Sequence, residues 1–415
     1  MYFKFIRKYK PFHFSYRSKI LIIFIIGLFF VINCQDQESQ KENDYNKKDN
    51  WSEIWTDDFE GDTLDTSKWN KLNWRPGWVN NENQAYTDRD TNIYLKDGFL
   101  IIQGLIEPGY YGKDYTGYNY NADYTSGRVN TDKKFSKTYG RFDVRAKLPK
   151  GRGSWPAIWM LGDNISTIGW PLCGEIDIME HVGYEEGLIH GSIHTDMFNH
   201  NDGTQKSGSH LVPTATDSFH TYSLEWTPNY LRYLIDNEPF FFVYNDSDGD
   251  NRKWPFDQPH YIILNLAIGG DWGGVQGIST TDFPMKMLID YVKISEKSEL
   301  NVDIEVLFQV DMQDEIVSGS GVRISGGSLG SGQPGGIRMA SVDNTNVWQV
   351  RLVLPQSSNF TYKYRNGYFP DTWLGGWETV NENCVVGTHN NRFISLAQSD
   401  TILPLVCFNS CEECR

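Results

Sequence analysis

The sequence predicts an all-β protein with two parts: a two-sheet sandwich or jelly roll over residues 51–297, then a smaller immunoglobulin-like β-sandwich over residues 303–415. Three observations predict it. Runs such as YGRFDVRAKL, LIHGSIHT, FHTYSLEWT, LRYLIDN, HYIILNLAIGG and MLIDYVKIS alternate apolar and polar residues with period two, the signature of half-buried strands. Turn residues separate these runs, and nothing long carries a helical period. The chain of 415 residues is too long for one ordinary domain, and the polar stretch SEKSELNVD divides two β patterns. The first set spans roughly 250 residues, the size of a large sandwich or jelly roll. The second holds IEVLFQVDM, GVRISGG, VWQVRLVLP, FTYKYRNG and NRFISL in about 110 residues, the size of an immunoglobulin-like sandwich.

In chain order, residues 1–34 come first. They carry six basic residues (Lys4, Arg7, Lys8, Lys10, Arg17 and Lys19), no acid, and an apolar run from Ile20 to Ile32. That run is short for a membrane span and suits the core of a signal peptide. It ends at Cys34 and resembles a bacterial lipoprotein signal in which Cys34 is lipidated, although Asn33 stands where such signals usually have a small residue. The alternative is an uncleaved signal anchor. The polar residues 35–50 read as a flexible linker. The expectation is export, as an outer-membrane or cell-surface lipoprotein or as a secreted protein, with membrane contact only through the lipid.

Charge narrows the partner. The formal net charge is −15, and it becomes −21 without residues 1–34. Such a balance argues against nucleic acid, anionic lipid surfaces and sulfated polysaccharides, and favours a neutral substrate. The 14 Trp, 23 Tyr and 23 Phe suit either a β-rich core or stacking on sugar rings.

The chemistry concentrates in GEIDIMEHVG, residues 174–183. On a regular strand Glu175 and Asp177 share a face, while Glu180 points the other way. One extra residue at Ile178–Met179, a β-bulge, would reset the alternation and bring Glu180 round. The two glutamates would then stand about 13 Å apart along the backbone, and a curved sheet with leaning side chains brings the carboxyls closer. A retaining glycosidase needs two carboxyls roughly 5–5.5 Å apart, one ionised and one protonated. Solvated acids or a calcium site are the plainer alternatives. Nearby, GSWPAIWML supplies Trp155 and Trp159, GSIHT supplies His194, and GGDWGG supplies Trp272. Acids, a histidine and several tryptophans in one β domain describe a sugar cleft.

From about Trp55 to Ile294 the sequence resembles glycoside hydrolase family 16, above all its laminarinase-type endo-β-1,3-glucanases. The residues that carry the resemblance are DDFEGDTLDTSKW, NNENQAYT, YTSGRVNT, YGRFDVRAKLPKGRGSWPAIWMLG, WPLCGEIDIMEHVG, FHTYSLEWTP, ILNLAIGGDWGG and IDYVKIS. The family implies a concanavalin-like jelly roll of two curved antiparallel sheets with an open cleft, and a retaining double displacement. It implies Glu175 as nucleophile, Glu180 as general acid/base and Asp177 as the supporting carboxylate. It further implies Asn81 and Arg128 as sugar-binding residues and Trp155, Trp159 and Trp272 as aromatic contacts. His194 would touch Glu180 or a sugar. No cofactor is expected for catalysis, but the resemblance implies a structural calcium at Glu60, Gly98 and Asp290, which are oxygen donors of the kind calcium takes. The expected substrate is a laminarin-like β-glucan. Mixed-linkage glucan, agar or carrageenan hydrolysis and non-catalytic glucan binding are the rivals. The default oligomeric state is monomer.

Residues 303–415 resemble small modules related to starch-binding-like domains, through FQVDM, YKYRNG, NRFISL and LPLVCFNSCEEC. Trp348, Trp373 and Trp377 are candidates for stacking on a glycan; the alternative is a structural spacer whose tryptophans pack inward. Cys384, Cys407, Cys411 and Cys414 are an even set in an exported chain, which favours disulfides over a zinc site. The favoured pairing is Cys384–Cys407 with Cys411–Cys414. Cys173 stands alone, as a buried thiol.

Overall fold

The computed structural model describes residues 51–414 apart from 298–302, 331–333, 343–344, 371 and 382. The lipoprotein-type signal, Cys34 and the linker lie outside the described residues. The fold is almost entirely β, with short helical turns only at Ile165–Ile168 and Gly270–Gly273 among the described residues. The first part is a jelly roll of two sheets. One has ten strands, and the other orders seven strands as Lys206–Leu211, Leu188–His194, Glu175–His181, Ser154–Gly162, His260–Ile268, Arg128–Asn130 and Asn70–Lys71.

Alternation makes the core between the sheets. In His220–Trp226, Tyr222, Leu224 and Trp226 point inward and are fully buried. They meet Ile176, Ile178, Met179 and Ile193 from the seven-stranded sheet. On that sheet's other face, Trp155, Ala157, Trp159 and Leu161 alternate along Ser154–Gly162 and point into a groove.

The second part forms two five-stranded sheets around Val306, Phe308, Val310, Ile324, Leu352 and Tyr364. Its core does not stop at its own border. Tyr230 and Phe242 of the jelly roll belong to the same apolar cluster, Phe242 meets Phe360 at 5.3 Å, and the Val353 amide donates to the Tyr244 hydroxyl. Trp348 packs against this core and is no surface platform.

The disulfides differ from the favoured pairing: Cys384 bonds Cys411, and Cys407 bonds Cys414. The reason is a turn. Cys407 lies on a short strand beside Asp311, its amide donates to the Glu412 carbonyl, and the Ser410 amide donates back to the Cys407 carbonyl. This reversal lays Cys414 across from Cys407 and leaves Cys411 to reach Cys384. Cys173 is a buried free thiol, pushed up to about 12 by burial.

Candidate active site

The strand Glu175–His181 carries the site, and a bulge sets its geometry. Against Ser154–Gly162, Asp177 pairs with Trp159 and Met179 with Ile158, so Ile178 is the extra residue; against Leu188–His194 the register slips between Asp177 and Glu180. Ile178 and Met179 both bury in the core as consecutive residues. Burying each contributes about 1.5–3 kcal/mol, which holds the phase break in place. A one-residue slip would drive Glu180 into the core. As folded, Glu175, Asp177 and Glu180 all line one cavity of about 420 Å³.

The neighbouring strand supplies their partners. His194 stands opposite Glu175, and Ser192 stands opposite Asp177. Ser192 Oγ donates to Asp177 Oδ2 at 2.7 Å, while His194 Nε2 lies 3.2 Å from that oxygen and 3.7 Å from Glu175 Oε1. His194 therefore contacts Asp177 and Glu175 rather than Glu180, which with a sugar is one of its two expected contacts. Glu180 instead accepts from Trp155 Nε1 at 3.0 Å, and Glu175 accepts from Trp170 Nε1 at 3.0 Å.

Electrostatics acts on both glutamates in the same direction. Burial, then the charge of Asp177, pushes both carboxyls well above the usual range. Burial opposes a charge on His194, but its hydrogen bond to Asp177 and the surrounding acids win and raise it to about 9. His194 is thus an imidazolium at neutral pH, beside Glu175 and Asp177. This contact favours ionisation of Glu175. Glu180 makes no ion-pair contact with His194, although that charge also favours its ionisation. Glu175, Asp177 and His194 are also close enough together to hold a metal ion.

The groove floor is aromatic. Arg128 is buried, with its guanidinium 4.3 Å from the Trp74 ring and 4.7 Å from the Trp159 ring, and Trp159 Nε1 donates to Asn265 at 2.6 Å. Trp155 meets Trp272 edge-on at 5.6 Å, and Trp272 meets His190 at 5.0 Å, so Trp272 buttresses the groove from its border. Asn81 departs from expectation. It is exposed, sits in a left-handed turn (φ 49°) and donates to Asp271, whereas its neighbours Asn80 and Glu82 line the cavity. Trp74, Trp78, Glu82, Trp170, His200 and Asn265 were missed by sequence reasoning. Most lie on loops, where no periodicity reports direction; Trp170 did stand within the WPLCGE motif.

At the expected calcium position, Glu60 Oε1 lies 3.0 Å from where a Cβ would stand on Gly98. Asp290 falls at a bulge beside Ile289, which pairs with Leu100, and its Oδ2 is held by Arg145. Glu60 and Gly98 are thus neighbours, while the Asp290 carboxylate is engaged by Arg145.

In the second part, the Trp373 and Trp377 rings are nearly parallel (11°) with centroids 6.1 Å apart. With Lys363, His389 and Asn391 they line a cavity of about 500 Å³. The buried Arg365 donates to the carbonyls of Thr372, Leu374 and Gly375 and lies 4.3 Å over Trp377, which fixes this loop.

A curled two-sheet jelly roll with a tryptophan-floored groove and a row of carboxylates on one face defines a glycoside hydrolase. Comparison with known proteins bears this out: the profile of glycosyl hydrolases family 16 matches residues 46–293. The chain belongs to glycoside hydrolase family 16. It is 44% identical over 273 residues to the β-glucanase of Rhodothermus marinus, covering 64% of this chain and 91% of that protein. It is 38% identical over 260 residues to glucan endo-1,3-beta-glucosidase A1 of Niallia circulans, covering 58% of this chain and 37% of that one. The crystal structure of the Rhodothermus marinus laminarinase superposes with a TM-score of 0.55 at 43% identity, over 60% of this chain and 98% of that one. The family match ends before residues 303–415.

Proposed function

We propose that the protein is a retaining endo-β-1,3-glucanase acting on laminarin-like glucans. The observation that carries the reading is the bulge at Ile178–Met179, which turns Glu180 onto the face of Glu175 and Asp177. Glu175, reacting in its carboxylate form beside His194, attacks the anomeric carbon while Glu180 gives its proton to the departing glycosidic oxygen. Glu180, now ionised, takes a proton from water, which releases the glycosyl–enzyme. Asp177, fixed by Ser192 and His194, holds the imidazolium in place and keeps the proton on Glu180 through its charge. Trp155 orients Glu180, and Arg128 with Trp74 and Trp159 forms a floor for the sugars. The choice of β-1,3-glucan rests on the relatives' activities and on the acidic surface, which suits a neutral polymer. Reducing-sugar release from laminarin, lichenan and agarose tests it: laminarin should be cleaved fastest, and cleavage of agarose alone would overturn the reading.

The remaining assignments belong to the same proposal. The protein acts as a monomer, anchored at the cell surface by a lipid on Cys34; Cys34→Ala should move it from the membrane fraction to the soluble one. Calcium at Glu60, Gly98 and Asp290 is structural: chelation should lower Tm and leave kcat unchanged. Residues 303–415 bind glycan through Trp373 and Trp377, supported by their parallel, anchored rings. Retention of the full chain on insoluble β-1,3-glucan should fall in Trp373→Ala, and equal retention would remove this role.

A further inference from the structure

The aromatic lining of the groove does not end at its rim. Trp74 and Trp78 line the cavity with ring centroids 5.6 Å apart. Tyr115 follows, 5.4 Å from Trp78 and 6.4 Å from Trp74, although it lies outside the cavity and is 63% exposed. It sits at the tip of the long hairpin formed by Phe99–Lys113 and Asn119–Ser126. A single exposed tyrosine needs no explanation. What does need one is how firmly this tip is tied to the tryptophan loop.

Asp114 provides the tie. Its carboxylate is shielded from solvent. Oδ2 takes Arg75 Nη1 at 2.6 Å, while Oδ1 takes the Thr116 amide at 2.9 Å, the Thr116 hydroxyl at 2.6 Å and the Tyr118 amide at 3.0 Å. The Arg75 guanidinium lies 4.4 Å over Trp78 and 5.1 Å from Tyr118, so it is clamped between the two loops. The Tyr115 amide donates to the Asn73 carbonyl, and the Tyr120 hydroxyl donates to the Asn73 side chain. The Trp78 ring and the backbone that carries Tyr115 are therefore held in position before any ligand arrives, which lowers the entropy lost on binding.

We propose that Trp78 and Tyr115 form a distal subsite that takes a further glucosyl unit of the same glucan chain, beyond those lying over Arg128. The occupant follows from continuity, because Trp78 belongs to both the groove and the extension. An aromatic face packs against the C–H face of a pyranose, and Tyr115, on its anchored tip, adds one such face outside the groove. Binding energy gained so far from the reacting bond favours long chains over short ones. The inference rests on the reading of the groove as a glucan-cleaving site.

The test is the ratio of kcat/KM for long over short β-1,3-gluco-oligosaccharides, measured across a length series. For Tyr115→Ala the ratio should fall about five- to tenfold, with the plateau of the series reached at least one unit earlier. Tyr115→Phe keeps the ring and should keep the wild-type profile; since Tyr115 is exposed, neither change touches the core. A Tyr115→Ala profile parallel to wild type overturns the subsite, and so does loss of the length dependence in Tyr115→Phe. If the wild type cleaves a different glycan series instead, the proposed substrate fails. The same ratio on that series then decides the subsite separately.

Discussion

The jelly roll buries two clusters of charge, one on each sheet, and they are built oppositely. On the ten-stranded sheet, Asp143 and Glu225 meet two arginines. Arg141 binds both acids, through its Nε to Asp143 at 2.9 Å and its Nη1 to Glu225 at 3.0 Å, and Arg232 Nε holds Glu225 at 2.7 Å. Ser223 and Asn237 complete the network. On the seven-stranded sheet, three acids meet one cation: His194 touches Glu175 and Asp177, and its charge reaches Glu180 without contact. The balanced cluster is a structural joint, next to the seam with the C-terminal sandwich, where Arg232 and Phe360 line a small cavity. The unbalanced one retains a proton at neutral pH, which is what an acid–base pair needs. Function sits where the charge pairing is left incomplete.

The largest effect should come from the unbalanced cluster. Glu175→Gln and Glu180→Gln should each lower kcat on laminarin by about a thousandfold or more, roughly 4 kcal/mol of transition-state stabilisation. Their roles separate on an aryl β-glycoside whose leaving group needs no protonation. There Glu180→Gln should regain its glycosylation step, and Glu175→Gln should not. Recovery of Glu175→Gln instead would exchange the two assignments. The same Glu→Gln change in the balanced cluster should act on folding alone. Glu225→Gln leaves Arg141 and Arg232 buried without their shared partner, and it should destabilise the protein by about 3–5 kcal/mol in urea unfolding while the folded fraction keeps its specific activity.

This contrast also marks what the sequence can reveal. The acids of the groove were legible because Ile178 and Met179 are both apolar: only a bulge lets two consecutive residues enter the core, and that turns Glu180 outward. Trp155 and Trp159 were legible from strand alternation. The direction of Asn81 was not legible because a left-handed turn, not a strand, aims its side chain at Asp271. The contacts of His194 were not legible because the pairing register, which sets it opposite Glu175 and places Glu180 opposite His190, is not written in the motif. The disulfide pairing depended on a backbone reversal after Cys407 that spacing does not encode. The paired arginines were not legible because the acid they share, Glu225, lies 7 residues from Arg232 and 84 from Arg141 and meets both only across the sheet.

The smallest effect tests the comparison most closely, because it reverses a sign. Glu175 carries a folded-state pKa above its unfolded one, chiefly through burial and then through the charge of Asp177. Between those two values the folded protein binds more protons than the unfolded chain, so its stability falls as pH rises through the window. Glu175→Gln removes that ionisation, and Asp177 stays 3.2 Å from His194 to hold the imidazolium. The variant should therefore be more stable than wild type at pH 8, and the gain should disappear below about pH 4, where the unfolded carboxyl is itself protonated. Paired thermal or urea unfolding at the two pH values measures it. A gain in the groove beside a loss at Glu225 would show one substitution acting in opposite directions on two buried acids. Destabilisation by Glu175→Gln at pH 8 would mean that His194 already balances the groove, and the distinction between the two clusters would fall.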